Sequence, residues 1–134
     1  MSEIAPHRSS TAETSLRIAL VAAIAVAAVA HIPVIAPHLQ EAPYMGVLFI
    51  VFTAACLALG MLIAVSDSTW AYRASVAVCG AGVVTYAATR LVAFPQLPDD
   101  VGNWWEPLGV ASVVSETIVV GLALLVLRQR TRTN

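Results

Sequence analysis

Four stretches of twenty or more predominantly apolar residues limit what this chain can fold into more than any other feature of it. A helix needs about 20 such residues to cross the ~30 Å hydrocarbon core of a bilayer. A segment surrounded by lipid must satisfy its backbone hydrogen bonds internally, which makes each stretch a helix. The stretches run from Leu16 to Ile35, from Tyr44 to Val65, from Ala71 to Phe94 and from Pro107 to Leu127. The expected fold is therefore all-α, a four-helix transmembrane bundle with antiparallel neighbours and short loops. Composition agrees. Charged residues make up only 11% of the chain and mean hydropathy is +0.83, whereas soluble domains are about a quarter charged.

With 134 residues the chain holds one domain. A polar N-terminal tail, 1–15, is expected to be disordered or loosely helical, and a basic tail, 129–134, to follow the bundle. Arg17 ahead of an apolar run resembles the start of a signal peptide. The run is long enough to span, however, and three more follow it, so it reads as a retained first helix. The breaks between spans are punctuated. "HIPVIAPHLQEAP" carries three prolines and is expected to end the first helix. "SDSTW" offers Asp67 and Ser68 as caps, and "FPQLPDDVGNWWEP" places Pro107 in a first turn, where its missing N–H costs nothing.

Arginine placement gives an orientation. Arg8, Arg17, Arg73, Arg128, Arg130 and Arg132 fall on one side of the bundle, six of the seven basic residues. The positive-inside rule assigns that side, with both termini, to the cytoplasm. Glu41, Asp99, Asp100 and Glu106 fall on the other, where the two longer loops are expected. Trp70 and Tyr72 at one boundary, and Trp104 and Trp105 at the other, are interfacial aromatics. A net charge of −1 and the absence of lysine exclude a nucleic-acid surface. Cys56 and Cys79 form no CxxC and no metal-ligand spacing, and read as small core residues.

The polar residues inside the spans carry the functional signal. Glu116 lies about ten residues past Trp105, hence ~15 Å inside the membrane. Facing lipid unpaired it would cost from ~3 kcal/mol to several times that, so it requires a proton, a wet cavity or a partner. Arg90, Tyr86 and His31 are the candidates; His31 is expected in the outer third, because Pro33 loosens the helix end. Cys79, Gly82, Tyr86 and Arg90 share one face of the third helix, and Gly109, Ser112 and Glu116 share one face of the fourth. Gly46, Phe49, Thr53, Cys56 and Gly60 form a largely small-residue stripe on the second, of the kind that lets membrane helices approach closely. The expected site is an outward-opening polar pocket of Glu116, Arg90, Tyr86, His31 and Glu106, with Glu116 coupled to Arg90 directly or through Tyr86 or water. His38 and Glu41, three apart in "PHLQE", would serve a divalent metal if further ligands converged on them.

Three fragments, "HIPVIAPHLQE", "TRLVAFPQLPDD" and "EPLGVASVVSE", resemble a group of small four-helix integral membrane proteins of high-GC bacteria. The resemblance covers residues 30 to 120 and singles out His31, His38, Glu41, Arg90, Glu106, Pro107, Gly109 and Glu116. It implies a multi-pass protein of the bacterial plasma membrane. It brings no activity and no cofactor.

Two function classes follow from the residues. One is a binding or transport module whose pocket takes a small ligand, a proton or a metal. The other is a structural or accessory subunit, in which a buried polar network only fixes helix packing against a partner membrane protein or a second copy of the chain. An enzyme ranks third, because no nucleophile–base pair is evident.

Overall fold

The computed structural model describes residues 8–133. Four helices, α1 (Arg8–Glu41), α2 (Pro43–Val65), α3 (Thr69–Leu91) and α4 (Pro107–Thr133), form the bundle, and no strand occurs among the described residues. Each helix is long and apolar enough to cross a membrane, so the chain is a four-span helical bundle of the kind expected. The start of α1 and the end of α4 lie at one end, called here the terminal end. The 92–106 segment lies at the other, the loop end.

Three boundaries differ from the expected ones. α1 runs through Pro33 and Pro37 to Glu41. Each proline removes one backbone donor, but a membrane helix tolerates this where neighbouring helices and side chains occupy the freed groups. The acceptors left without a helical donor are the Val29 and Pro33 carbonyls; separately, the Nδ1–H of His31 donates to the Ala27 carbonyl and that of His38 to the Val34 carbonyl, each at 2.8 Å. The connection to α2 consequently shrinks to Ala42 alone, and only the 92–106 segment is a long loop at that end. At the terminal end α1 begins by Arg8 and α4 continues to Thr133, so residues 8–15 and 129–133 are helical; the first seven residues of the expected N-terminal tail lie outside the described residues.

The helices are ordered α2–α1–α4–α3 around the bundle, and α2 touches α3 far less than the other neighbouring pairs touch each other. The terminal half is well packed. Leu20, Ile24, Cys56, Ile63, Cys79, Val119, Ala123 and Val126 are buried against one another, both cysteines being free thiols. The α2 stripe packs on α1, as its small residues allow. A Cβ on Gly46 would meet Leu39 at 2.7 Å, and one on Gly60 would meet Ile24 at 3.3 Å. The terminal end is closed by Arg130, which pairs with Asp67, donates to Thr69 Oγ1 at 3.0 Å and lies over the Tyr72 ring, 4.8 Å from its centroid. The Tyr72 hydroxyl donates to Asp67. That hydrogen bond, helped by Arg130, holds the Asp67 carboxyl below the usual carboxylate range. At the loop end, Ala42, Met45 and Leu97 form a second, smaller core with Phe49 and Phe94. A cavity lies between the two cores.

Candidate functional site

The cavity has a volume of about 400 Å³ and draws its wall from all four helices and the 92–106 loop. α4 delivers Glu116, nine residues or ~14 Å past its start at Pro107. α1 delivers His31, ten residues or ~15 Å before its end at Glu41. Because α1 does not stop at its prolines, His31 sits deeper than the outer third and level with Glu116. Its Nε2 lies 3.7 Å from Glu116 Oε1. That is beyond hydrogen-bonding distance, so the two groups face each other without being bonded. With Nδ1–H committed to Ala27, a neutral His31 presents its Nε2 lone pair to the carboxyl.

Glu116 is 2% exposed, and its Oε2 has no hydrogen-bond partner. The room for this carboxyl is made by a missing side chain. A Cβ on Gly82 of α3 would lie 2.7 Å from Oε2 and 2.8 Å from the carboxyl carbon. Gly109 does the same nearer the loop end, where a Cβ would sit 2.6 Å from the Tyr86 ring and 2.8 Å from Glu106 Oε2. The aromatic side of the cavity comes from α2. Phe52 and Phe49 pack on the His31 ring at 4.5 and 5.2 Å between centroids, and Phe49 meets His38 edge-on at 4.9 Å.

The rim at the loop end is a separate polar cluster. Arg90, 7% exposed, pairs with Asp100 Oδ1 at 2.8 Å, donates to the Asp100 carbonyl at 3.2 Å and lies over the Tyr86 ring, 4.7 Å from its centroid. The loop is positioned for this by its own backbone. Gly102, at φ +78°, a conformation that favours glycine, donates its N–H to the Arg90 carbonyl, and the Tyr86 hydroxyl donates to the Trp104 carbonyl. Glu106 is the residue before α4 and accepts hydrogen bonds from the Leu108 and Gly109 N–H groups, which satisfies two otherwise orphaned donors.

The structure therefore brings all five expected pocket residues to one cavity, but in two clusters. Arg90 turns to Asp100 rather than to Glu116, and Glu116 turns to His31. Asp100 is the neighbour of Arg90 that the sequence does not reveal: it reads there as a solvated loop charge or a further metal ligand, and its position depends on the turn at Gly102. Phe52 and Gly82 were also unassigned as site residues, although Gly82 lay on the stripe with Arg90 and its lack of a side chain was visible there.

The metal expectation meets a different arrangement. His38 lines the cavity but donates to Val34, and Glu41 is exposed at the end of α1, off the cavity wall. Among the described residues, no three His, Cys, Asp or Glu side chains converge as a metal site requires. No protein-family model, no curated protein and no solved structure matches the chain.

Proposed function

We propose that this multi-pass membrane protein binds or transports a small ligand in the intramembrane cavity, with Glu116 and His31 as its floor and the Arg90–Asp100 pair as its rim. The observation that carries this reading is the unpartnered Oε2 of a 2%-exposed carboxyl, held open by Gly82 beside about 400 Å³ of space. A buried polar atom without a partner costs about 1–3 kcal/mol, which a ligand that bonds to Oε2 would recover. Concave, mainly apolar cavities with a few convergent polar groups are the usual form of small-molecule sites. The arginine bias supports an orientation with the terminal end in the cytoplasm and the loop end outside a bacterial plasma membrane.

The test is a thermal-stability screen of the purified protein against small molecules, run in parallel on Glu116→Gln. A compound that stabilises the native chain and leaves the variant unmoved supports the pocket. Co-purification of a stoichiometric membrane partner whose side chains fill the cavity supports the accessory-subunit reading instead. Labelling of a single cysteine placed at Asn103 by a membrane-impermeant reagent, applied only from outside, checks the orientation.

A further inference from the structure

The geometry points to a lipophilic organic cation as the ligand, entering sideways from the bilayer through a window between α2 and α3. This rests on reading the cavity as a ligand site. The charge balance comes first. The cavity wall carries one guanidinium, Arg90, and three carboxyls, those of Asp100, Glu106 and Glu116. Arg90 is ion-paired with Asp100 through Nη1, leaving its buried Nε without a hydrogen bond, and Glu106 is occupied in capping α4. What remains for a ligand is the Glu116 carboxyl, with a free oxygen. An anion would meet three carboxyls, with the one guanidinium already paired to Asp100 and both cavity histidines donating Nδ1–H to backbone carbonyls. A cation would find an ion-pair partner in a region of low dielectric, where such attraction is strong.

The rest of the wall selects the body of the molecule. Phe49 and Phe52, packed on the His31 ring, line the cavity together with aliphatic surface, which suits the body of an apolar or aromatic cation. A small hydrated ion would meet too few oxygen ligands.

The route follows from how the cavity is bounded. Its terminal end is shut by the packed core and the short Ser66–Ser68 turn. Its loop end is covered by the second core, where the Tyr44 hydroxyl on α2 donates to the Pro95 carbonyl at 2.7 Å. Between these closures α2 and α3 part. Leu48 and Val51 line the cavity and yet are 52% and 60% exposed, on the surface that faces lipid. The cavity wall and the lipid-facing surface are thus continuous, and a bilayer-dissolved amphiphile reaches Glu116 without crossing the polar rim.

A pair of ions of nearly the same shape and opposite charge tests this. Binding of tetraphenylphosphonium and tetraphenylborate is measured on the full chain in phosphatidylcholine nanodiscs, with neutral tetraphenylmethane as competitor. The expected result is saturable binding of one phosphonium per chain, tetraphenylborate at least tenfold weaker, and a tenfold or greater loss of phosphonium affinity in Glu116→Gln. Val51→Trp, at the window, is expected to slow phosphonium association several-fold. The comparison of the two ions on the native chain stands even if Glu116→Gln does not fold. Equal or tighter binding of the borate overturns the cation assignment, and an unchanged association rate in Val51→Trp overturns the lateral route. If neutral tetraphenylmethane competes equally well with both ions, the cavity is a ligand site without charge selectivity, and only the present inference falls. If none of the three binds, the pocket reading falls with it.

Discussion

The two ends of the bundle are built from the same three side chains and do different things with them. At the terminal end, Tyr72, Arg130 and Asp67 stack and pair; at the loop end, Tyr86, Arg90 and Asp100 do so at nearly the same arginine-to-ring distances, 4.8 and 4.7 Å. In the first trio the arginine comes from α4 and reaches across to the α2–α3 turn, beside a packed core. In the second the arginine comes from α3 and reaches to a loop, beside a cavity. The first fastens two helices together. The second holds a loop over empty space. Burial differs as well: the arginine and aspartate side chains are 22% and 41% exposed at the terminal end, and 7% and 26% at the loop end.

The largest expected effect follows from that difference in burial. Arg90→Met should cost about 3 kcal/mol, the low end for breaking a buried pair, since Asp100 keeps some access to water. Arg130→Met should cost at most about 1 kcal/mol, as a more exposed pair does. Reversible unfolding of both variants in detergent measures the gap. Equal losses would mean that the two trios are energetically the same, whatever their surroundings.

Next in size is the glycine that makes room for Glu116. Gly82→Ala forces the Glu116 carboxyl, the end of a flexible side chain, to move and should cost about 1 kcal/mol net of the helix propensity that alanine gains. Gly80→Ala, two residues away with nothing within 4 Å of its Cβ, should be neutral or stabilising by up to about 1 kcal/mol. If both alanines behave alike in a thermal melt, Gly82 is not the cradle described. Third, a double-mutant cycle of Glu116→Gln with His31→Phe should show coupling of about 1 kcal/mol. Glu116→Gln with Arg90→Met should add within about 0.5 kcal/mol, because the two belong to separate clusters. Coupling in the second cycle and none in the first would reverse the assignment of partners.

The smallest effect is a pH dependence confined to the terminal end. The folded-state pKa of Asp67 is lowered, so its contribution is complete above the unfolded carboxylate value of about 3.9 and disappears as pH falls through the lower folded value. The stability gap between the native chain and Asp67→Asn should accordingly close on acidification below that range. A gap that stays constant down to pH ~2 would remove Asp67 from the trio.

How far the sequence revealed this comparison depends on the range of the interactions. Four spans were legible because apolar length is a local property. So were the helical stripes carrying Arg90 and Glu116, since a spacing of three and four residues needs no tertiary information. The end of α1 differs from the expectation because proline is a reliable stop only where water takes over the freed groups; inside a membrane bundle the helix continues through Pro33 and Pro37. That one error displaced His31 toward the surface and hid its proximity to Glu116. Asp100 was illegible for a different reason. Its place beside Arg90 depends on the reversal of the chain at Gly102, which no periodicity announces.

The two prolines of α1 have a mechanical meaning as well. Pro33 and Pro37 leave the last third of that helix with fewer backbone bonds than the rest, and the weak point lies one turn or less from His31. The segment beyond it is not free to swing alone, because Leu39 lies against Gly46 with no room for even a methyl group between them. A bend at Pro33 would therefore act as a lever, carrying the loop-end half of α2 with it and changing the gap between α2 and α3. The same pivot would alter the 3.7 Å separation of His31 and Glu116. One joint at Pro33 would thus change the spacing of these two groups and the width of the aperture to the lipid together.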